Sequence, residues 1–253
     1  MIGRQIVNHR IGRKKRFFIS DDLKIEALLE RQSARRFTLL DELLRNRLTI
    51  RRPVIYFDIM IKDNVREKIL QCGAAIMYRK GYNDAGIKEI TDAAGIPKGS
   101  FYNYFKSKEE FAISALDYMG RQSQRRIKSY LYDASKPPVD RIIGFFSEMV
   151  EKNIRELRFK QGCFIGNLCQ EMADVNAAIG AKIDQIFKKF TAILSEGLVE
   201  AQKNGDVTRA FDADQLAEFI FNSWEGALMR MKASRSAQPL TAFMDILTGV
   251  LLK

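Results

Sequence analysis

Between Ile87 and Tyr104 the chain carries two short apolar-periodic stretches separated by Gly95-Ile96-Pro97. Helices of about two turns do not hold in water alone, because the cost of starting a helix is not recovered over so few residues. These two must therefore pack on each other and on the helix before them, which restricts this part of the chain to a helix-turn-helix arrangement. Ile90, Ala94, Ile96, Phe101 and Tyr104 have the spacing of its core. Gly95 stands where the turn needs a positive φ, and Pro97 fits the first turn of the second helix, where a missing N–H costs nothing. That second helix, expected over Pro97–Tyr104, turns Lys98, Gly99, Ser100, Tyr102 and Asn103 outward. An amide suits a base edge, a hydroxyl or phenol suits a phosphate, and a lysine suits either. Gly99 lets the backbone approach DNA closely.

The rest of the chain from Asp63 onward reads as helix after helix. Asn64 with Glu67 forms a capping-box pattern that opens the first, with Val65, Ile69, Cys72, Ile76 and Met77 on one face and Gly81 as its left-handed end. Ser107 with Glu110 launches a long helix to about Tyr132, and Lys136-Pro137-Pro138 breaks it. Further helices are expected over Val139–Leu157, Cys163–Met172, Asn176–Lys203, Asp212–Ala233 and from Pro239 to Leu252. No credible strand occurs. The expected fold is all-α, with a three-helix helix-turn-helix DNA-binding domain at 61–106 and a helical effector-binding and dimerisation domain at 107–253.

Residues 1–60 differ in texture. The 253-residue chain has a formal charge of +11, and residues 1–60 hold 14 Lys+Arg against 7 Asp+Glu. Residues 61–136 hold 14 against 9, and residues 137–253 hold 14 against 15. The excess lies upstream, the layout of a nucleic-acid reader joined to something else. In 1–60 the cations are 11 Arg and 3 Lys; beyond, they are 11 Arg and 17 Lys. The 1–60 extension is either sequence upstream of a true start at Met60, a phosphate-gripping arm with GRKKR at 12–16, or an added packing helix over Asp21–Leu48.

What is missing narrows the function. His9 is the sole histidine, so the main body has no Ser-His or Cys-His machinery and no usual His-containing zinc site. Glu171, Asp174 and Asp184 are not spaced so that they must gather. An enzyme is not expected, nor a cofactor or metal. Cys72, Cys163 and Cys169 are too scattered for a disulfide framework, which fits a reducing, cytoplasmic setting. No apolar run approaches the roughly 20 residues that span a bilayer, so no membrane partner is expected.

The run GIKEITDAAGIPKGSFYNYFKSKEEF resembles the DNA-binding domain of the TetR family of bacterial transcriptional regulators. The later GCFIGNLCQEMAD and WEGALMRMKASRSAQPL resemble the C-terminal domain of a subgroup that includes electrophile-responsive repressors. The resemblance covers roughly residues 62–253. It implies a homodimeric repressor whose recognition helices enter the major groove of a palindromic double-stranded operator. By position it brings Lys88, Lys98, Ser100, Tyr102, Asn103, Tyr104 and Lys108 near DNA, with Tyr102 and Lys108 the foremost phosphate contacts. Tyr104 can equally be core, and Lys88 an ordinary surface lysine. The family often places Thr or Ser at Ala85-Gly86 to cap the second helix; here Gly86 must serve.

The resemblance also implies a small-molecule pocket among the middle helices, whose occupation swings the long helix. Phe145, Met149, Cys163, Phe164 and Trp224 are candidate lining, although such apolar residues are core by default. Asn167 and Trp224 each bring a polar group to an apolar wall, or else are buried and bonded to backbone. Cys163 begins a helix with Arg158 and Lys160 close in sequence, a setting that lowers a thiol pKa and suits a sensor of oxidants or electrophiles. Its plainer reading is a small packing residue. Control by a protein partner, without a small molecule, is the alternative. Leu216, Phe219, Ile220, Leu228, Phe243, Ile246, Leu247 and Val250 give the last two helices broad apolar faces, for a four-helix dimer bundle or for closing the chain's own core.

Overall fold

The computed structural model describes residues 53–252; the expectations for GRKKR and for Asp21–Leu48 lie outside them. The described residues are helical, with no strand. In order they are α1 (Pro53–Asp84), α2 (Ile87–Ala94), a 3₁₀ helix (Lys98–Asn103), α3 (Lys108–Leu131), α4 (Pro138–Arg155), α5 (Phe164–Met172), α6 (Ala177–Asn204), α7 (Ala213–Ser234) and α8 (Gln238–Ile246), which ends in a π turn (Leu247–Leu251).

Most boundaries follow local capping chemistry. The Ser107 hydroxyl accepts from Glu110 N–H at 3.0 Å while the Glu110 carboxylate accepts from Lys106 N–H at 2.9 Å, opening α3. Asn176 and Asp212 cap α6 and α7 by accepting from Ile179 and Gln215 N–H. Gly95 and Gly205 end α2 and α6 at φ 69° and 83°.

Three expectations are corrected. Helix α1 runs through residue 60 from Pro53, so Asn64 is interior to it and opens nothing. Gly81 does not end it but breaks it, with φ 85° and ψ 179°, and one further turn continues to Asp84. The recognition element is a six-residue 3₁₀ helix, not an α-helix over Pro97–Tyr104. Pro97 stands before it in an extended conformation (ψ 143°), and Gly99, a poor helix former, follows at once.

Two hydrophobic cores fill the structure. The first gathers Ile69, Leu70, Ile76 and Met77 of α1 and Ile90 of α2 around Phe101, Phe105 and Phe111, closed from the other side by α5 and α6. The three phenylalanines form a cluster with centroids 5.1–5.6 Å apart. The second joins α3 beyond Ile127 with α4, α6, α7 and α8. Cys163 and Phe187 pack against both cores and mark their seam. Of the apolar residues expected on the last helices, Leu216, Ile220, Leu228, Phe243 and Leu247 close this second core. Phe219, Ile246 and Val250 remain 54%, 52% and 61% exposed.

Candidate DNA interface and effector cavity

Gly95 and Pro97 set the direction in which the 3₁₀ helix leaves α2, and Phe101 nails it down from within. Ser100 N–H donates to Pro97 C=O at 2.9 Å and Tyr104 N–H to Phe101 C=O at 3.0 Å, which fixes the backbone of the whole segment. Lys98, Gly99, Tyr102 and Asn103 consequently face solvent together, with Tyr102 54% exposed. Ser100 and Tyr104 are half-buried, so Tyr104 serves the core as well as the surface. A side chain added at Gly99 or Gly86 would meet open space.

Two further lysines are engaged within the chain. The Lys88 ammonium lies 2.6 Å from Asp92 Oδ2, one turn along α2. Lys108 donates to Asn83 C=O at 3.0 Å and stands 4.7 Å over the Tyr82 ring, where burial holds its pKa below the usual lysine range. Sequence position made Lys108 a foremost phosphate contact; here its charge ties the start of α3 to the end of α1.

At the seam between the cores lies a cavity of about 210 Å³. Phe145, Met149, Cys163, Phe164 and Trp224 all line it, joined by Tyr78, Phe187, Phe190, Arg126, Lys152 and Glu225. Asn167 does not: its amide donates to Gln161 C=O at 2.8 Å and accepts from Lys232 Nζ at 2.7 Å, bracing the loop behind the cavity. Bonding to backbone was the alternative for this residue, and it is the one the geometry realises.

The cavity's electrostatics correct the expectation for Cys163. Its sulfur caps α5 by accepting from Gly166 N–H at 3.3 Å, yet burial and the neighbouring Glu225 carboxyl push the thiol well above its ordinary pKa. Arg158 and Lys160 are near in sequence but exposed, and do not offset this. Burial raises Glu225 to about 7, and burial, Cys163 and Glu225 push Tyr78 upward. Lys152 is lowered by burial and by Arg126. Glu225 escaped the sequence reading, although one signal was present: it is a lone acid between Phe221 and Leu228, four residues before and three after on one helical face. Among the described residues no cluster of His, Cys, Asp and Glu is placed to hold a metal, and no helix is long and apolar enough to cross a membrane.

Comparison with known proteins agrees with this division. The family model for bacterial regulatory proteins of the tetR family matches residues 69–115, and that for the tetracyclin repressor-like C-terminal domain matches 138–247. The chain is 35% identical over 193 residues to the HTH-type transcriptional repressor DhaR of Mycobacterium sp. strain GP1, covering 76% of this chain and 95% of that one. The crystal structure of regulatory protein TetR from Rhodobacter sphaeroides superposes with a TM-score of 0.68 at 30% identity, over 73% of this chain and 97% of that one. That of the reduced form of E. coli NemR gives 0.67 at 26%, over 74% and 97%. The helix-turn-helix, the helical body behind it and these likenesses together make the chain a member of the TetR family: a DNA-binding transcriptional regulator, not an enzyme.

Proposed function

We propose that this regulator is a repressor that binds a palindromic operator as a homodimer and leaves it when a small molecule occupies the cavity. The observation that carries the reading is the pairing of an outward row of polar side chains (Lys98, Tyr102, Asn103, with Gly99 among them) with a mostly apolar cavity that none of them lines. Residues 61–106 read the operator and 107–253 sense and dimerise. The relative DhaR and the E. coli protein NemR carry the name repressor, which supports that sense of control. Phe219, Ile246 and Val250 stay exposed on the two last helical elements, and pairing them with a second copy removes them from water. The cavity favours a small-molecule effector over control by a protein partner alone, and a cytoplasmic location follows from the operator.

Release requires only that effector and operator prefer different arrangements of the same dimer, which makes the coupling negative and reciprocal. Selection of binding sites from random DNA, followed by a compound screen for release, tests the whole reading. A dyad-symmetric consensus and a dimer by light scattering are expected. A monomer, or a site without a dyad, overturns the homodimer.

A further inference from the structure

Glu171, in the last turn of α5, lines neither the cavity nor the DNA face, yet its carboxylate joins α5 to the end of α1. Its Oε2 accepts from Tyr82 N–H at 2.7 Å and its Oε1 from Asn83 N–H at 2.8 Å. Both amides follow the break at Gly81, where the helical ladder is interrupted and N–H groups are left without carbonyls four residues back. A Cβ at Gly81 would meet Glu171 Oε2 at 2.6 Å, so this glycine is required for the approach of the carboxylate as well as for its φ of 85°. The carbonyl of the same Asn83 accepts from Lys108 at 3.0 Å. The corner that leads from α1 into the helix-turn-helix is thus held twice, by a carboxylate on its amides and an ammonium on its carbonyl.

The other end of α5 is cavity wall. Cys163 caps it and Phe164 and Ile165 begin it, all three lining the cavity. Tyr78, one turn before Gly81 on α1, donates to Gly162 C=O and packs edge-on against Phe164 at 5.8 Å. The stretch Gly162–Met172 is therefore bonded to α1 twice, once just before α5 at the cavity and once at the corner. At about 1.5 Å per residue, the nine residues of α5 make a rod ~13 Å long.

We infer that Glu171 positions the reading helices on the sensing body, and that a change at the cavity wall reaches the DNA face along α5 through this carboxylate. The inference rests on the reading of cavity and DNA face proposed above. It names a route separate from the long helix α3. A molecule that displaces Tyr78 from Gly162 moves the first turn of α5; the rod carries the displacement to Glu171, and two parallel hydrogen bonds transmit direction where one would swivel.

The test uses the full chain and DNA fragments that the wild type selects from a random pool. Glu171→Gln keeps the side chain's shape but removes its charge and one acceptor; Glu171→Ala removes both bonds. Operator affinity is expected to fall about tenfold for Gln and further for Ala, with helix content and melting temperature of the Gln variant unchanged within a few degrees. Amide exchange at Tyr82 and Asn83, followed without DNA, is expected to be slow in the wild type and faster in both variants. Tyr78→Phe combined with Glu171→Gln is expected to weaken binding by less than the product of the single effects, because the two contacts lie in series on one route and breaking either interrupts it. Unchanged affinity in a folded Gln variant, or rapid exchange at both wild-type amides, overturns the positioning role; strictly multiplicative effects overturn the α5 route. Should the wild type select no DNA, the DNA-binding reading fails, and amide exchange still decides whether the carboxylate holds the corner.

Discussion

The DNA face and the cavity are built on opposite plans. Lys98–Asn103 draws its outward side chains from one uninterrupted run of six residues, each aimed by the turn at Gly95-Pro97 and the anchor at Phe101. The cavity draws its wall from α1, α3, α4, α5, α6 and α7, and no two neighbouring helices would form it alone. A face that is local in sequence can be altered one contact at a time with the scaffold unchanged. A void assembled from six helices exists only while all six are packed, so its chemistry is set by burial more than by the residues beside it in the chain.

The hardest blow to this contrast is Phe101→Ala. Phe101 is wholly buried and touches Phe105 and Phe111, so about 3–5 kcal/mol of stability should be lost, read by chemical denaturation, together with operator binding. If operator affinity survives, the segment is not held from within and the local plan is wrong.

Next in size is the pH dependence of the body. The folded pKa of Glu225, about 7, lies above its ordinary value of 4.5 because burial disfavours the carboxylate. Its contribution to stability is fully present below pH 4.5, is lost as pH rises towards 7, and is flat beyond. The loss is on the order of 3 kcal/mol. The difference in unfolding free energy between wild type and Glu225→Gln, followed from pH 4.5 to 8, should show this slope. A constant difference would mean that the cavity wall is wetter than its packing implies.

Smaller effects sharpen the DNA side. Asn103→Ala should cost about 1–3 kcal/mol of operator affinity and relax preference at one base position, whereas Lys98→Ala should weaken all sequences alike and lower the salt slope by about 1. Neither should move the melting temperature, and a shift in either would make the residue structural. Smallest is Gly86→Ser. Gly86 caps α2 with no side-chain bond and has open space for a Cβ, so a gain of a few tenths of a kcal/mol is expected in thermal melts.

The same contrast explains what the sequence made legible. Capping at Ser107, Asn176 and Asp212, the turn at Gly95 and the outward row on the 3₁₀ helix are decided within a few residues, and local patterns announced them. Five of six proposed wall residues do line the cavity, because large apolar residues in the middle helices have few other places to go. Apart from the helix boundaries at Asn64, Gly81 and Pro97, what local patterns did not announce involves partners distant in sequence. Lys108 reads as a phosphate contact, and the sequence does not show that Asn83 and Tyr82, about 25 residues back, also engage it within the chain. Cys163 reads as an acidic thiol until Glu225, on α7, arrives next to it. Asn167 reads as cavity lining until Lys232 claims its oxygen.

Cys163 and Phe187 stand where the two cores meet, with the cavity beside them. A void at such a seam has a hereditary consequence. Replacing a wall residue reshapes what the void admits and leaves the six residues from Lys98 to Asn103 untouched. If the cavity takes the effector as proposed, descendants of this chain can change the compound they answer to, one wall residue at a time, while keeping their operator. On that reading the seam makes chemical taste and genomic address separately heritable.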